Sequence, residues 1–130
     1  MFDRSHTILL IEGDPTLLEI TAFRLELLGY CVVSYASAEQ GIEWLHEQLP
    51  SLVIVDHALP GMDGIGFINL LSNDTRTSEI PTMFLSTNGD LEDVQKAYNA
   101  GADEYLVIPY DPLVLEAKVE RLASAVPQNT

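Results

Sequence analysis

An apolar run of four to six residues, followed by a segment of helical period, occurs five times in this chain and restricts its fold more than any other feature. The first run, Thr7-Ile8-Leu9-Leu10-Ile11, ends at Glu12-Gly13-Asp14-Pro15, where Asp14 suits a helix cap and Pro15 a first helical turn. Leu18, Ala22, Leu25 and Leu28 recur at helical spacing until Gly29 ends the helix. Cys31 to Ala36 is rich in β-branched and aromatic residues and reads as a second strand. Ser37-Ala38-Glu39-Gln40 has the form of a capping box and opens a helix through Trp44 and Leu45. Leu52-Val53-Ile54-Val55 is apolar without alternation, as a strand buried on both faces must be. It leads to Asp56, then to the turn-rich Leu59-Pro60-Gly61-Met62-Asp63-Gly64 and to helix formers from Ile65 to Leu71. Thr82 to Leu85 predicts a fourth strand closed by Ser86 and Thr87, and Asp90 starts a helix to about Ala100. Glu104 to Ile108 predicts a fifth strand. Asp111-Pro112 repeats the cap-plus-proline signal for a last helix to about Ala123, and Val126 to Thr130 reads as a frayed tail.

Strict alternation of strand and helix implies an α/β fold: a doubly wound, five-stranded parallel sheet with five helices, flavodoxin-like, in strand order 2-1-3-4-5. The 130 residues read as a single domain with a core from about 7 to 125. Ligands on such sheets bind beyond the carboxyl ends of the strands, where the strand order reverses, here between strands one and three. Just past those strands stand Glu12-Gly13-Asp14 and Asp56-His57. Carboxylates gathered in one crevice repel unless a proton or a cation intervenes, and Mg²⁺ is the natural occupant because it bridges carboxylates to phosphate. A carboxylate beside such an ion can act as a nucleophile toward a phosphoryl group. Ser86 and Thr87 are placed to donate hydroxyl hydrogen bonds to phosphoryl oxygens.

The balance of charge restricts the partners. Twenty acids against six bases leave a net charge of −14, which repels nucleic-acid phosphates and anionic membranes. No apolar stretch approaches the roughly 18 residues of a membrane span, and the start of the chain lacks a signal-peptide pattern. The one cysteine, Cys31, suits a reducing compartment and reads as a buried structural thiol, so a cytoplasmic protein is expected. His6, His46 and His57 show no pairing that suggests a metal site or a relay, and surface roles are expected for them. Trp44 is expected in or beside the core. Leu17, Ile20, Phe23 and Leu27 lie outside the core stripe of the first helix. Burial beneath a neighbouring helix is the plainer account of them, and a docking or homodimer face the other.

The chain resembles the CheY-like receiver domains of bacterial two-component response regulators from Thr7 to about Ala125. The resemblance is carried by Ile8 to Pro15, by Val55-Asp56 with Leu59-Pro60-Gly61-Met62-Asp63-Gly64, by Leu85-Ser86-Thr87, and by Gly101-Ala102-Asp103-Glu104-Tyr105-Leu106 with Pro109-Tyr110. It implies that Asp56 accepts a phosphoryl group from a sensor histidine kinase or a phosphotransfer protein. It also implies that Ser86 contacts that group and that Tyr105 is the switch aromatic. The signal would then pass to a downstream protein through the face formed by helix four, strand five and helix five. Glu12, Asp56 and the backbone carbonyl of Ala58 would hold Mg²⁺, with Asp14 as a further candidate ligand. No enzymatic activity is implied beyond the domain's own phosphorylation and dephosphorylation.

Two positions depart from the family pattern. Gly13 stands where a second acid would contact the metal, and Ile108 where a lysine would pair with the acceptor. Asp56 then keeps acidic neighbours and loses its counter-charge, which makes it a poorer nucleophile. Slow or absent phosphorylation by small donors and weak Mg²⁺ binding are expected. Three functions therefore compete. The first is a stand-alone phosphoacceptor relay or regulator, since no output domain follows in the sequence. The second is a degenerate receiver acting as a phosphorylation-independent protein-interaction module, which Gly13 and Ile108 favour. The third, an enzyme or cofactor carrier on the same fold, is opposed because Asp56 and His57 are adjacent rather than spaced as in cobalamin domains. No glycine-rich phosphate loop is present either.

Overall fold

The computed structural model describes residues 6–124, and the frayed tail expected from Val126 to Thr130 lies outside them. Five strands, β1 (Thr7–Ile11), β2 (Cys31–Tyr35), β3 (Leu52–Asp56), β4 (Thr82–Ser86) and β5 (Glu104–Val107), alternate with five helices. The helices are α1 (Pro15–Leu27), α2 (Ala38–Leu45), α3 (Gly64–Ser72), α4 (Leu91–Ala100) and α5 (Pro112–Ser124). The sheet is parallel throughout, in the expected order β2-β1-β3-β4-β5.

The central strands lack alternation because each of their faces meets helices. Leu9 and Ile11 of β1, with Val53 and Val55 of β3, pack on Leu45 of α2, Phe67 and Leu71 of α3 and Ala97 of α4. The intervening Ile8, Leu10 and Ile54 pack on Leu25 of α1 and on Leu115, Val119 and Leu122 of α5. An apolar residue at every strand position is what a two-sided burial demands. Pairing of Ile11 with Val55 and of Asp56 with Leu85 brings the ends of β1, β3 and β4 to one edge.

Local capping departs from expectation in detail. Asp14 caps α1, accepting from the Thr16 and Leu17 amides at 2.9 and 3.3 Å. Only half of the box at α2 forms: Ser37 Oγ accepts from the Gln40 amide, while its hydroxyl donates to Gln40 Oε1. Asp90 precedes α4 but makes no side-chain cap bond; its amide donates to Asn88 Oδ1 instead.

Three burial expectations are corrected. Cys31 is half-buried rather than buried, because β2 is an edge strand with partial exposure along its length. Leu28 falls off the core stripe of α1 and is exposed, Thr21 taking a buried place on that stripe. Ile20, Phe23 and Leu27 are not covered by a neighbouring helix among the described residues, Phe23 and Leu27 being 60% and 68% exposed. Trp44 is half-buried against the core. His46 and His57 lie at the surface.

Candidate functional site

Asp56 is the last residue of β3 and is buried, with its side chain at the carboxyl edge of the sheet. The His57 amide donates to the Leu85 carbonyl at 2.8 Å, extending the ladder to β4, and the Ala58 amide donates to the Asp56 Oδ1 at 2.8 Å as the chain leaves the strand. Gly64, the first residue of α3, passes so close that a Cβ there would lie 2.4 Å from the Asp56 carbonyl oxygen. The loop between them is also tied from outside. Glu39 of α2 accepts from the Met62 amide at 2.9 Å, a bond that holds the Glu39 carboxyl below its ordinary range. That contact spans 23 residues, and no local signal in the sequence marks it.

Glu12 follows β1 and is 2% exposed. Its Oε1 accepts from the Asp14 amide at 2.9 Å, while Oε2 has no hydrogen-bond donor within the protein. Burial, then the adjoining Asp56 side chain, then the charge of Asp14 push the Glu12 carboxyl up from 4.5 to about 8, against the lowering effect of the Asp14 amide. At neutral pH Glu12 therefore tends to hold its proton, while its Oε2 makes no hydrogen bond within the protein. Protonation of Glu12 lessens the repulsion expected between the acids.

A cavity of about 480 Å³ opens above these groups, lined by Glu12, Asp14, Asp56, Ala58, Ser86 and Ile108 among others. Glu12, Asp14 and Asp56 all line this cavity, although among the described residues no group of three acidic, histidine or cysteine side chains could hold a metal. Asp14 lines the cavity but is turned to the amides of α1. Glu12 and Asp56 remain as side-chain donors. The Ala58 carbonyl stands 3.1 Å from where a Cβ on Gly13 would be, so position 13 faces the candidate metal carbonyl without contributing a ligand. Two carboxylates and one carbonyl fit Mg²⁺, which keeps several waters and needs few protein ligands, and the orphaned Glu12 Oε2 is the oxygen such an ion would satisfy.

Ser86 ends β4, buried, and its Oγ accepts from the Asn88 amide at 3.1 Å, leaving the hydroxyl proton free to donate. Thr87 lines the same cavity, exposed. Tyr105 of β5 is buried, and its hydroxyl donates to the Asn88 carbonyl. Asn88 thus links Ser86 to Tyr105, a connection that sequence reading missed. A row of rings parallels it: His57 to Phe84 at 5.8 Å between centroids, and Phe84 to Tyr105 at 5.6 Å.

Residues 8–120 match the family described as the response regulator receiver domain. The chain belongs to that family. This receiver is 33% identical to the phosphate regulon transcriptional regulatory protein PhoB of Escherichia coli over 113 residues, 87% of this chain and 49% of that protein. It is 32% identical to the DNA-binding dual master transcriptional regulator RpaA of Synechocystis over 88% of this chain and 48% of that one. The receiver thus spans about half the length of the curated relatives it matches. Among solved structures, the signal receiver domain of a histidine kinase from Syntrophus aciditrophicus superposes with a TM-score of 0.89 at 30% identity, covering 96% of this chain and 95% of that one. The chemotaxis regulator CheY4 of Vibrio cholerae shares the fold, with a TM-score of 0.84 at 22% identity over 89% of this chain and 97% of that one. Receivers of this family are signalling domains that bind Mg²⁺ for phosphorylation and interact with histidine kinases or phosphotransfer proteins. No described helix is long and apolar enough to cross a membrane.

Proposed function

We propose that Asp56 is the phosphoacceptor of this receiver, taking its phosphoryl group from a histidine kinase or phosphotransfer protein in the cytoplasm. The observation that carries the reading is the placement of Asp56: a buried carboxylate at the end of β3, one oxygen fixed by the Ala58 amide, opening into a cavity beside the Ser86 hydroxyl. The free carboxylate oxygen attacks phosphorus, the bond from phosphorus to the histidine nitrogen breaks, and an acyl phosphate and neutral histidine result. Mg²⁺, held by Glu12, Asp56 and the Ala58 carbonyl, would neutralise charge on the phosphoryl oxygens when bound.

The chain's own residues do the rest. Ser86 donates its free hydroxyl proton to a phosphoryl oxygen. In moving to do so it gives up the Asn88 amide, and Asn88 is the residue that holds the Tyr105 hydroxyl. Tyr105 then reorients, and the change emerges on the face of α4, β5 and α5, where a downstream protein reads it. Without a lysine at position 108, Ile108 leaves the transferred charge unpaired, so transfer from small donors is slow. Membership of the family favours this reading over a phosphorylation-independent module.

Long incubation with acetyl phosphate and Mg²⁺, followed by intact-mass spectrometry, tests the proposal. A slowly formed single phosphoryl adduct that is absent from Asp56→Asn is expected. An adduct retained by Asp56→Asn, or none in the native chain with phosphorylated kinase either, overturns it.

A further inference from the structure

The cavity over Asp56 is lined by acidic, polar and apolar side chains together, and a hydrated metal ion serves only the polar ones. Its floor carries Asp56 and the buried Glu12, whose Oε2 has no donor within the protein. Its wall is formed by Leu17 and Ile20 of α1 with Ile108 and Pro109 after β5. No lysine or arginine lines it. The described bases are engaged or placed elsewhere. Arg24 pairs with Glu116 at 3.1 Å, Arg76 donates to the Leu45 carbonyl, and Lys118 and Arg121 pair with Glu104. Lys96 lines a neighbouring cavity. An acidic floor calls for a cation with hydrogen-bond donors, and an apolar wall calls for hydrocarbon. One chemical group offers both.

We propose that this cavity binds a primary ammonium group carried on an apolar stem and supplied from outside the chain. The ammonium protons meet Asp56 and the unpartnered Glu12 oxygen, and the stem covers Ile20 and Ile108. The stem accounts for the wall, which Mg²⁺ would leave facing water. Two sources share this chemistry, a free alkylamine and the lysine side chain of a partner protein. The inference rests on Asp56 being an open, reachable carboxylate, as the acceptor reading does, but it needs no phosphoryl transfer.

The test is an NMR titration of ¹⁵N-labelled protein in metal-free buffer with n-butylammonium. Tetramethylammonium serves as a cation without donors and n-butanol as a stem without charge. Saturable shifts in the millimolar range, centred on the amides of Ile20, Asp56, Ser86 and Ile108, are expected for butylammonium alone. Asp56→Asn should weaken them about tenfold or more, because an ion pair becomes a neutral contact. Ile20→Ser, at an exposed site that leaves the core intact, should weaken them about threefold by shortening the wall. A lysine residue blocked at both ends separates the sources: binding comparable to butylammonium supports a partner's side chain, and much weaker binding supports a free amine. Equal shifts with tetramethylammonium, shifts scattered over the acidic surface, or no saturation overturn the proposal. Butylammonium binding without phosphorylation would leave this inference standing and remove the acceptor reading, and the reverse result would do the opposite.

Discussion

Two glutamates are buried in this receiver, and the protein treats them in opposite ways. Glu104 of β5 is 9% exposed and accepts from Lys118 Nζ at 2.9 Å, from Arg121 of α5, and from the Tyr105 amide at 3.1 Å. Lys118 and Arg121 are three residues apart on one helix face, so a single carboxylate engages both. Glu12 is buried more deeply, has acids for neighbours, and has one amide bond and an orphaned oxygen. A buried charge is tolerated when it is paired, and an unpaired one takes up a proton. The first arrangement ties β5 to α5. The second stores an unmet demand for positive charge at the edge where ligands bind.

The contrast is sharpest in its pH dependence. The Glu12 carboxyl is raised from 4.5 to about 8 in the folded protein, so between those values the folded state binds more protons than the unfolded one. The stability associated with this group is therefore complete below about pH 4.5 and declines as the pH rises through about 8. The loss at alkaline pH is on the order of a few kcal/mol. Glu12→Gln, which cannot ionise, should flatten this slope and be more stable than the native chain above about pH 8. Urea midpoints measured across the range would show the two curves diverging with pH. Parallel curves would mean that Glu12 carries no such proton in the folded state.

Supplying the acceptor edge with a fixed cation should erase the contrast from the other side. Ile108→Lys places an ammonium among the residues lining the Asp56 cavity. Phosphorylation by acetyl phosphate should accelerate about a hundredfold, the usual scale for one well-placed group stabilising transferred charge. Gly13→Asp should raise Mg²⁺ affinity by about tenfold, provided that the Ala58 carbonyl yields a few tenths of an ångström to the new Cβ. Phosphorylation time courses and metal titrations check these two separately. No acceleration in Ile108→Lys would show that the slow step lies elsewhere.

The strand-helix rhythm was legible because it reports burial on both faces, and burial is written in side-chain type. Asp14, Asp56, Ser86 and Tyr105 were legible by their place just beyond, or within, those runs. What escaped depends on contacts between distant segments. Cys31 reads as buried from its apolar neighbours, yet β2 lies at the sheet's edge, where the expected strand order already placed it and where its own apolar run does not show it. Three acids past β1 and β3 read as one cluster and line one cavity, and the cap of α1 takes one oxygen of Asp14. The proton resides on Glu12 because of depth and of Asp56 beside it, neither visible along the chain. Glu104 reads as a strand residue, and its two bases lie 14 and 17 positions away.

The same substitution at the two sites should act with opposite sign. Glu104→Gln keeps an oxygen to accept the Tyr105 amide and removes only the charge. Lys118 is partly exposed and Arg121 mostly so, which lets both recover water when the carboxylate is gone. The cost is accordingly about 1 kcal/mol, below that of breaking a fully buried pair. It should shrink as salt rises, whereas the effect of Glu12→Gln grows with pH and is stabilising on the alkaline side. Urea midpoints for the two variants at low and high salt, at neutral and alkaline pH, separate these behaviours. A Glu104→Gln variant as stable as the native chain at every salt concentration would reduce the α5 ion pairs to surface decoration. The asymmetry between the two glutamates would then rest on Glu12 alone.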